Sequence, residues 1–243
     1  PFVELTDRIK QAGLDKDILS QRLSIFSHKG KTYGLPQSLS AMVLYYRTDL
    51  FDKHDLTPDK LATWDDFVRE GERLAKDGQH LTALDPMYFE VLLRQRGSDW
   101  FDESGRVLPD MATAVDVLSW LRNLQDKGIG LLPDRSSVFD PVFFNSTVAR
   151  GEVLCLIGAD WYGLDMLQQF TPDLKGQWDI MPLPAWKTPG GGTSPRTSTF
   201  AGQGLLIYKG SGEVEASWKF IEYVMKNIDA NVQRFVEGNS FPA

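Results

Sequence analysis

One cysteine, three histidines and no long apolar run: what this 243-residue chain lacks narrows what it can be. The single thiol, Cys155, cannot form an internal disulfide, and in its apolar run at 153–157 it reads as a small packed hydrophobe. His28, His54 and His80 lie far apart, with no partner at the spacing of a metal site. Nothing approaches the roughly 18 consecutive apolar residues of a membrane-spanning helix. The start, PFVELTDRI, has no initiator Met, no charged n-region and no apolar h-region. That fits a processed or shortened product, so a missing secretory signal does not argue for the cytoplasm. Positive charge is also scarce. Lys and Arg number 26 against 33 acidic residues, a net charge of −7. An acidic body with scattered basic residues argues against non-specific nucleic-acid binding, which needs clustered Lys and Arg. No Ser-His-Asp arrangement, P-loop, GxGxxG or zinc motif is present, and no cofactor is expected.

What is present is an ordinary globular composition, 42% hydrophobic, on a chain long enough for two domains. Residues 2–13 carry Thr6 as an N-cap candidate before a short helix closed by Gly13. A turn is expected at Lys29-Gly30, then a strand. Thr63 caps a helix over 63–75, with Asp66 as the second half of a capping-box-like pair. Residues 80–84 read as a strand, broken by Asp85-Pro86, and 87–97 as a helix. A β-turn is expected at Glu103-Ser104-Gly105. The clearest amphipathic helix is 111–128, with Ala114, Val117, Leu118, Leu121 and Leu124 on its apolar side. Residues 136–170 read as helix, strand, a tight turn at Gly158-Ala159-Asp160, and helix. A strand follows at GQWDIMPLPAW. The segment 187–199, KTPGGGTSPRTST, reads as one long flexible loop. Another strand and turn occupy FAGQGLLIYKGSG. The last helical stretch sets Ala216, Phe220, Val224 and Ile228 on one face. Helices alternating with short strands mean α/β. No internal repeat is visible.

Residues 32–51, TYGLPQSLSAMVLYYRTDLF, join a Gly-Pro lead-in to a β-rich run, and a helix start follows at once. With TWDDFVREGERLA just downstream, this stretch resembles the family 1 extracellular solute-binding proteins, whose pattern runs "G-x-x-Y-x-L-P … lYYNkdLF … P-x-T-W-d-e". Those are the substrate-capturing subunits of bacterial ABC importers, commonly for sugars. FFNSTVARGEVLCLIGADWYGLDM resembles the family's "F-x-x-G-k-v-A-M-x-i-x-G-x-W" element, and IMPLPAW its "g-x-x-P-l-P" strand. FAGQGLLIYKGSGEVEASWKFIEYVMK and NSFPA resemble the two elements that follow. The likeness runs nearly the whole chain, in order.

The resemblance implies a two-lobed α/β fold of the type II periplasmic binding protein kind, with ligand held between the lobes. It also implies an internal portion of a longer chain, since members begin with further units of the first lobe and continue beyond the last element. On that map residues 1–38 and 205–243 belong to an incomplete first lobe and 43–198 to the second, with crossovers near 39–42 and 199–204. The implied role is capture of a carbohydrate or related polyol for an ABC permease. The implied setting is periplasmic or extracellular, with a lipid anchor possible in the parent. The expected state is a monomer with no nucleic-acid partner and no enzymatic activity.

A sugar site needs aromatic faces for the C–H face of the ring and polar groups for its hydroxyls. Trp161 leads the candidates, because in the family the aromatic after this glycine turn commonly stacks on ligand. The alternative is a Trp packed on its own helix. Asp160 and Tyr162 are its neighbours. Gln37, Ser38 and Ser40 sit at the expected crossover, where hydroxyl and amide groups suit polyols or simply make turn hydrogen bonds. Tyr88 and Phe89 follow Asp85-Pro86, where the resemblance implies an aromatic contact; at least one is expected to face the core. Gly202 and Gly204 flank Gln203, where the family usually has paired glycines that permit close backbone approach. Arg196, in the long loop, could meet an anionic sugar or phosphate but reads best as solvated. Two rival readings share these residues: a ligand sensor on the same fold, and a glycoside-processing enzyme. The latter needs two carboxylates at defined separation, and no spacing among Asp85, Asp160 and Asp165 singles out a pair.

Overall fold

The computed structural model describes residues 1–102, 104–108, 110–134, 137–200, 202–238 and 241–242. Glu103, at the expected β-turn, and Ala201, in the expected return crossover, lie outside the described residues. The chain divides into two compact units, Pro1–Ser40 with Ala201–Ala243, and Ala41–Phe200.

The smaller unit begins with α1 (Thr6–Ala12) and α2 (Ser20–Ser24). Gly13 ends α1 in the left-handed conformation, φ 73°. Thr6 is not the N-cap. It is the first helical residue, and its hydroxyl instead accepts from the Thr32 N–H at 3.0 Å. Strands β1 (Ser27–His28) and β2 (Lys31–Thr32) pair antiparallel. Lys29 and Gly30 join them with φ of 51° and 74°, the two positive angles a type I′ hairpin turn requires. β3 (Gly34–Pro36) and β4 (Ser38–Leu39) complete this part.

The larger unit opens with β5 (Met42–Arg47) and α3 (Thr48–Lys53). Thr63 caps α4 (Trp64–Ala75) in a full capping box. The Asp66 N–H donates to the Thr63 hydroxyl at 3.2 Å, and the Thr63 N–H to the Asp66 carboxylate at 3.1 Å. Then come β6 (His80–Ala83), α5 (Met87–Gln95), α6 (Met111–Asp126), β7 (Gly130–Leu131), α7 (Pro141–Phe143), β8 (Val153–Ala159) and β9 (Trp178–Pro182). Five strands form one sheet in the order β7-β6-β8-β5-β9. β5 runs antiparallel to β8 and β9, while β6 is parallel to β7 and β8. Every residue of β8 is buried, as a central strand covered on both faces must be. Side chains of β5 alternate between two cores. Met42, Leu44 and Tyr46 join Phe51, Trp64, Phe67 and Leu92 on one side. Tyr45 joins Phe143, Phe144, Leu156 and Tyr162 on the other.

Of the residues expected on the apolar side of α6, Ala114, Val117 and Leu124 are buried, but Leu118 is 53% exposed. The segment 187–199 is not a free loop. Its end is tied to α5 by Ser198, whose hydroxyl donates to the Val91 carbonyl at 2.6 Å, and by Arg94, which donates to the Thr199 carbonyl at 3.2 Å. Arg196 is held too: its Nε donates to the Leu183 carbonyl at 3.0 Å.

The chain returns to the smaller unit with β10 (Gly204–Leu206), α8 (Val214–Lys226), α9 (Ile228–Gly238) and β11 (Phe241–Pro242). β10 pairs antiparallel with β3, and β11 with β4. Leu5, Ile9, Leu35, Ile207, Trp218 and Ile221 form the core here. The face expected to pack is not the one that does. Trp218 and Ile221 go in, while Phe220 is 60% and Ile228 74% exposed. Asn227, in extended conformation, separates α8 from α9.

Candidate functional site

The sequence candidates fall into two groups, one on each compact unit. On the larger unit, β8 ends at Ala159, and Asp160 and Trp161 form the turn that follows. A π-helical segment, Gly163–Gln168, starts directly afterwards; such widened turns recur at functional sites. The expected glycine turn at 158–160 is therefore displaced. Gly158 and Ala159 are strand residues, and Gly158 has another duty. A Cβ there would stand 2.8 Å from Cγ of Tyr162, so its bare backbone makes room for that ring.

Trp161 is half-buried and presents one aromatic plane over another. Its ring stacks on Phe139 with centroids 6.1 Å apart and planes 23° from parallel. The stacking on Phe139 orients the indole of a residue that is not fully buried. Asp160, also half-buried, donates its N–H to the Ala41 carbonyl at 3.0 Å, which fixes the turn to the start of β5.

Tyr162 and Tyr88 are corrected by the structure. Tyr162 is fully buried, and its hydroxyl donates to the Val138 carbonyl. Tyr88 is 1% exposed, and Phe89 packs edge-on to Trp100 with centroids 5.0 Å apart. Burial pushes both tyrosine hydroxyls well above their ordinary pKa. A residue enclosed by the core offers no face to a solute, so Tyr88 and Tyr162 are core residues and not contacts. Asp85 is likewise engaged. Its carboxylate accepts from the Met87 N–H at 3.0 Å and from the Ser137 hydroxyl at 2.9 Å. The first of these bonds is made at the start of α5, and the second ties that start to the segment before α7.

On the smaller unit, Gln37, Ser38, Gly202 and Gln203 gather just beyond the β3–β10 pair. The Gln37 N–H donates to the Gln203 carbonyl at 2.8 Å, and the Gln203 N–H to the Ser38 hydroxyl at 3.0 Å. Ser38 therefore serves the backbone. Gly202 has φ 114°, and a Cβ there would lie 2.8 Å from Nη2 of Arg22. That guanidinium donates to the Ser38 carbonyl at 2.7 Å, so both glycine properties, angle and size, are used. Gly204 leaves room for the Phe26 ring, 2.1 Å from where its Cβ would be. Gln203 is exposed and Gln37 half-buried. Ser40 is 4% exposed, so its hydroxyl is enclosed.

Phe139 escaped the sequence reading, because nothing in its neighbourhood ties it to Trp161, 22 positions later. Among the described residues no group of three His, Cys, Asp or Glu could hold a metal ion.

Comparison with known proteins fits this picture. The model of the family "Bacterial extracellular solute-binding protein" matches residues 3–228. The arabinooligosaccharide-binding protein of Bacillus subtilis (strain 168) is 27% identical over 237 residues, covering 95% of this chain and 52% of its own length. The lactose-binding protein of Rhizobium radiobacter is 23% identical, covering 94% of this chain and 53% of its own. The chain thus spans about half the length of these curated relatives. Among solved structures, an ABC transporter solute-binding protein from Thermotoga lettingae TMO bound with alpha-D-tagatose superposes with a TM-score of 0.76 at 19% identity. Maltose-bound MalE3 of T. maritima gives 0.72 at 23% identity. Each alignment covers 99% of this chain and 62% of the other. The fold is accordingly the α/β fold of the two-lobed binding proteins. With the family model matched over most of its length and the predicted motifs in order, the chain belongs to the bacterial extracellular solute-binding protein family.

Proposed function

We propose that this chain is part of an extracytoplasmic solute-binding protein that captures a carbohydrate and delivers it to an ABC import permease. The observation that carries this reading is the Trp161 platform, a half-buried tryptophan stacked on Phe139 at the end of a fully buried strand. Relatives named for arabinooligosaccharide, lactose and maltodextrin binding support a carbohydrate as the ligand class. We assign Trp161 to the apolar face of a sugar ring. Asp160, on the same turn, is assigned to a hydroxyl. The division of the chain at Ser40 and Phe200 supports reading 1–38 with 205–243 as part of the first lobe and 43–198 as the second. The role is binding without turnover.

The test is tryptophan fluorescence of the whole protein titrated with arabinooligosaccharides, lactose and maltodextrins. A saturable change with one class is expected, without chemical conversion of the sugar. Trp161→Ala should weaken that binding about tenfold, the effect of losing ~1.4 kcal/mol of stacking. A flat response to all three from a folded protein, or hydrolysis of the sugar, sinks the reading.

A further inference from the structure

We propose that Tyr45 is the positioning residue for the turn that presents Asp160 and Trp161, holding it through a hydroxyl that contacts both limbs of the bend. The inference rests on reading that turn as part of a carbohydrate site. Tyr45 is not itself a ligand contact, being 6% exposed.

A strand that stops and a helix that starts both leave backbone groups without regular partners. Here the two ends are four residues apart. A tyrosine hydroxyl offers one donor and acceptor capacity on the same oxygen. That of Tyr45 lies 2.9 Å from the Ala159 carbonyl oxygen and 3.0 Å from that of Asp160, sharing its proton between them. It accepts from the Gly163 N–H at 3.2 Å. One side chain from the neighbouring strand thus ties the last strand residue, the first turn residue and the first residue of the π-helical segment. Register explains the reach. Tyr45 stands opposite Leu156 on β8, three residues before Ala159, and its ring extends along the sheet face toward the turn.

Gly163 is part of the same device. A Cβ there would lie 3.0 Å from Cε1 and 3.3 Å from Oη of Tyr45. The glycines on either side of Asp160 and Trp161 therefore each accommodate one tyrosine, Gly158 for Tyr162 and Gly163 for Tyr45. Tyr46, the next residue, faces the opposite side of the sheet, and its hydroxyl donates to the Asp179 carboxylate at 3.2 Å. It offers a control on the same strand, equally aromatic and equally hydroxylated, that does not touch the turn.

The experiment uses ¹⁹F NMR of the whole protein labelled with 5-fluorotryptophan, comparing Tyr45→Phe and Tyr46→Phe. The Trp161 resonance is assigned by its loss in Trp161→Phe. Removal of the Tyr45 hydroxyl should shift or broaden that resonance while the other six tryptophans of this chain keep theirs. Tyr46→Phe should leave it in place. An unmoved Trp161 signal in Tyr45→Phe, or equal movement in both variants, overturns the assignment. Should Tyr45→Phe fail to fold, Gly163→Ala, which presses on the same hydroxyl, must move the Trp161 signal instead; no movement there also overturns it. Binding of arabinotriose, a short arabinooligosaccharide, should weaken about tenfold in Tyr45→Phe, the loss of one buried hydrogen-bonding group felt through the site. Unchanged arabinotriose binding beside a moved resonance overturns the link to the site. If wild-type protein binds none of the sugars yet its Trp161 signal still depends on Tyr45, the carbohydrate reading fails and the positioning role stands.

Discussion

Trp64 and Gln95 meet inside the larger unit: the indole N–H donates to the amide oxygen at 2.9 Å, with the residues 1% and 2% exposed. The amide nitrogen of Gln95 then donates to the carbonyls of Pro184 and Pro195, each at 2.8 Å. Trp120 and Trp186 pack on Trp64 with centroids 5.0 and 5.8 Å away, and the Arg96 guanidinium lies 5.2 Å from the Trp186 ring centre. One amide thus fastens both ends of a Gly- and Pro-rich excursion to α5. Gln95→Leu would leave the buried Trp64 donor and the buried Pro184 acceptor unmet, while the exposed Pro195 carbonyl keeps the Ser194 hydroxyl at 3.0 Å. A loss of about 3 kcal/mol is expected from such a set. Urea unfolding checks the loss, and backbone hydrogen exchange over 195–200 should accelerate with it. A change under about 0.5 kcal/mol, the size of an ordinary surface substitution, would remove the anchoring role.

The glycine before the Trp161 turn is a packing requirement. Gly158→Ala places a methyl 2.8 Å from Cγ of Tyr162 inside a filled core. The expected cost is about 2 kcal/mol, typical of overpacking. Gly212→Ala has nothing within 4 Å of the added carbon and serves as the comparison. Equal melting temperatures for the two variants would contradict the packing argument.

The α4 capping box predicts an acid dependence. Hydrogen bonds from Thr63, then from Arg69, hold the Asp66 carboxyl below its ordinary value of 3.8. A depressed carboxyl stabilises the fold above its unfolded-state pKa, and the contribution disappears as pH falls through the lower folded-state value. Thr63→Ala should therefore cost about 1 kcal/mol at neutral pH. The gap from wild type should narrow in acid below 3.8. Chemical unfolding of both proteins across that range tests it, and a gap that widened in acid would reverse the assignment.

The parts legible in the sequence are those set by neighbours in the chain. Thr63 and Asp66 are three residues apart, and so are the two halves of their box. β8 announced itself as an apolar run because a strand covered on both faces has no polar side. Lys29-Gly30 carried its own turn geometry. The rest depends on partners far away. Gln95 reaches carbonyls 89 and 100 positions on, which is why 187–199 reads as loose when it is tied down. Trp161 could be singled out, but the Phe139 beneath it and the Tyr45 hydroxyl behind it come from other elements. Tyr88 and Tyr162 are hard to place for a related reason, since an aromatic beside a turn reads the same from sequence whether its ring points out or in. α8 shows the limit of periodicity. Ala216, Phe220, Val224 and Ile228 form a consistent stripe, yet Trp218 and Ile221 on another side meet the core. Spacing finds stripes and does not choose between them.

Cys155 is fully buried, its thiol donating to the Leu81 carbonyl at 3.0 Å, and burial pushes its pKa up. A thiolate is the reactive form, so this sulfur is shielded twice, by access and by protonation. It is also the chain's only cysteine. A cysteine introduced on the exposed side of the segment after Trp161, such as Asp165→Cys, would have no native competitor within this chain for a maleimide dye. The chain is in effect already prepared for attachment of an optical reporter beside the proposed Trp161 site.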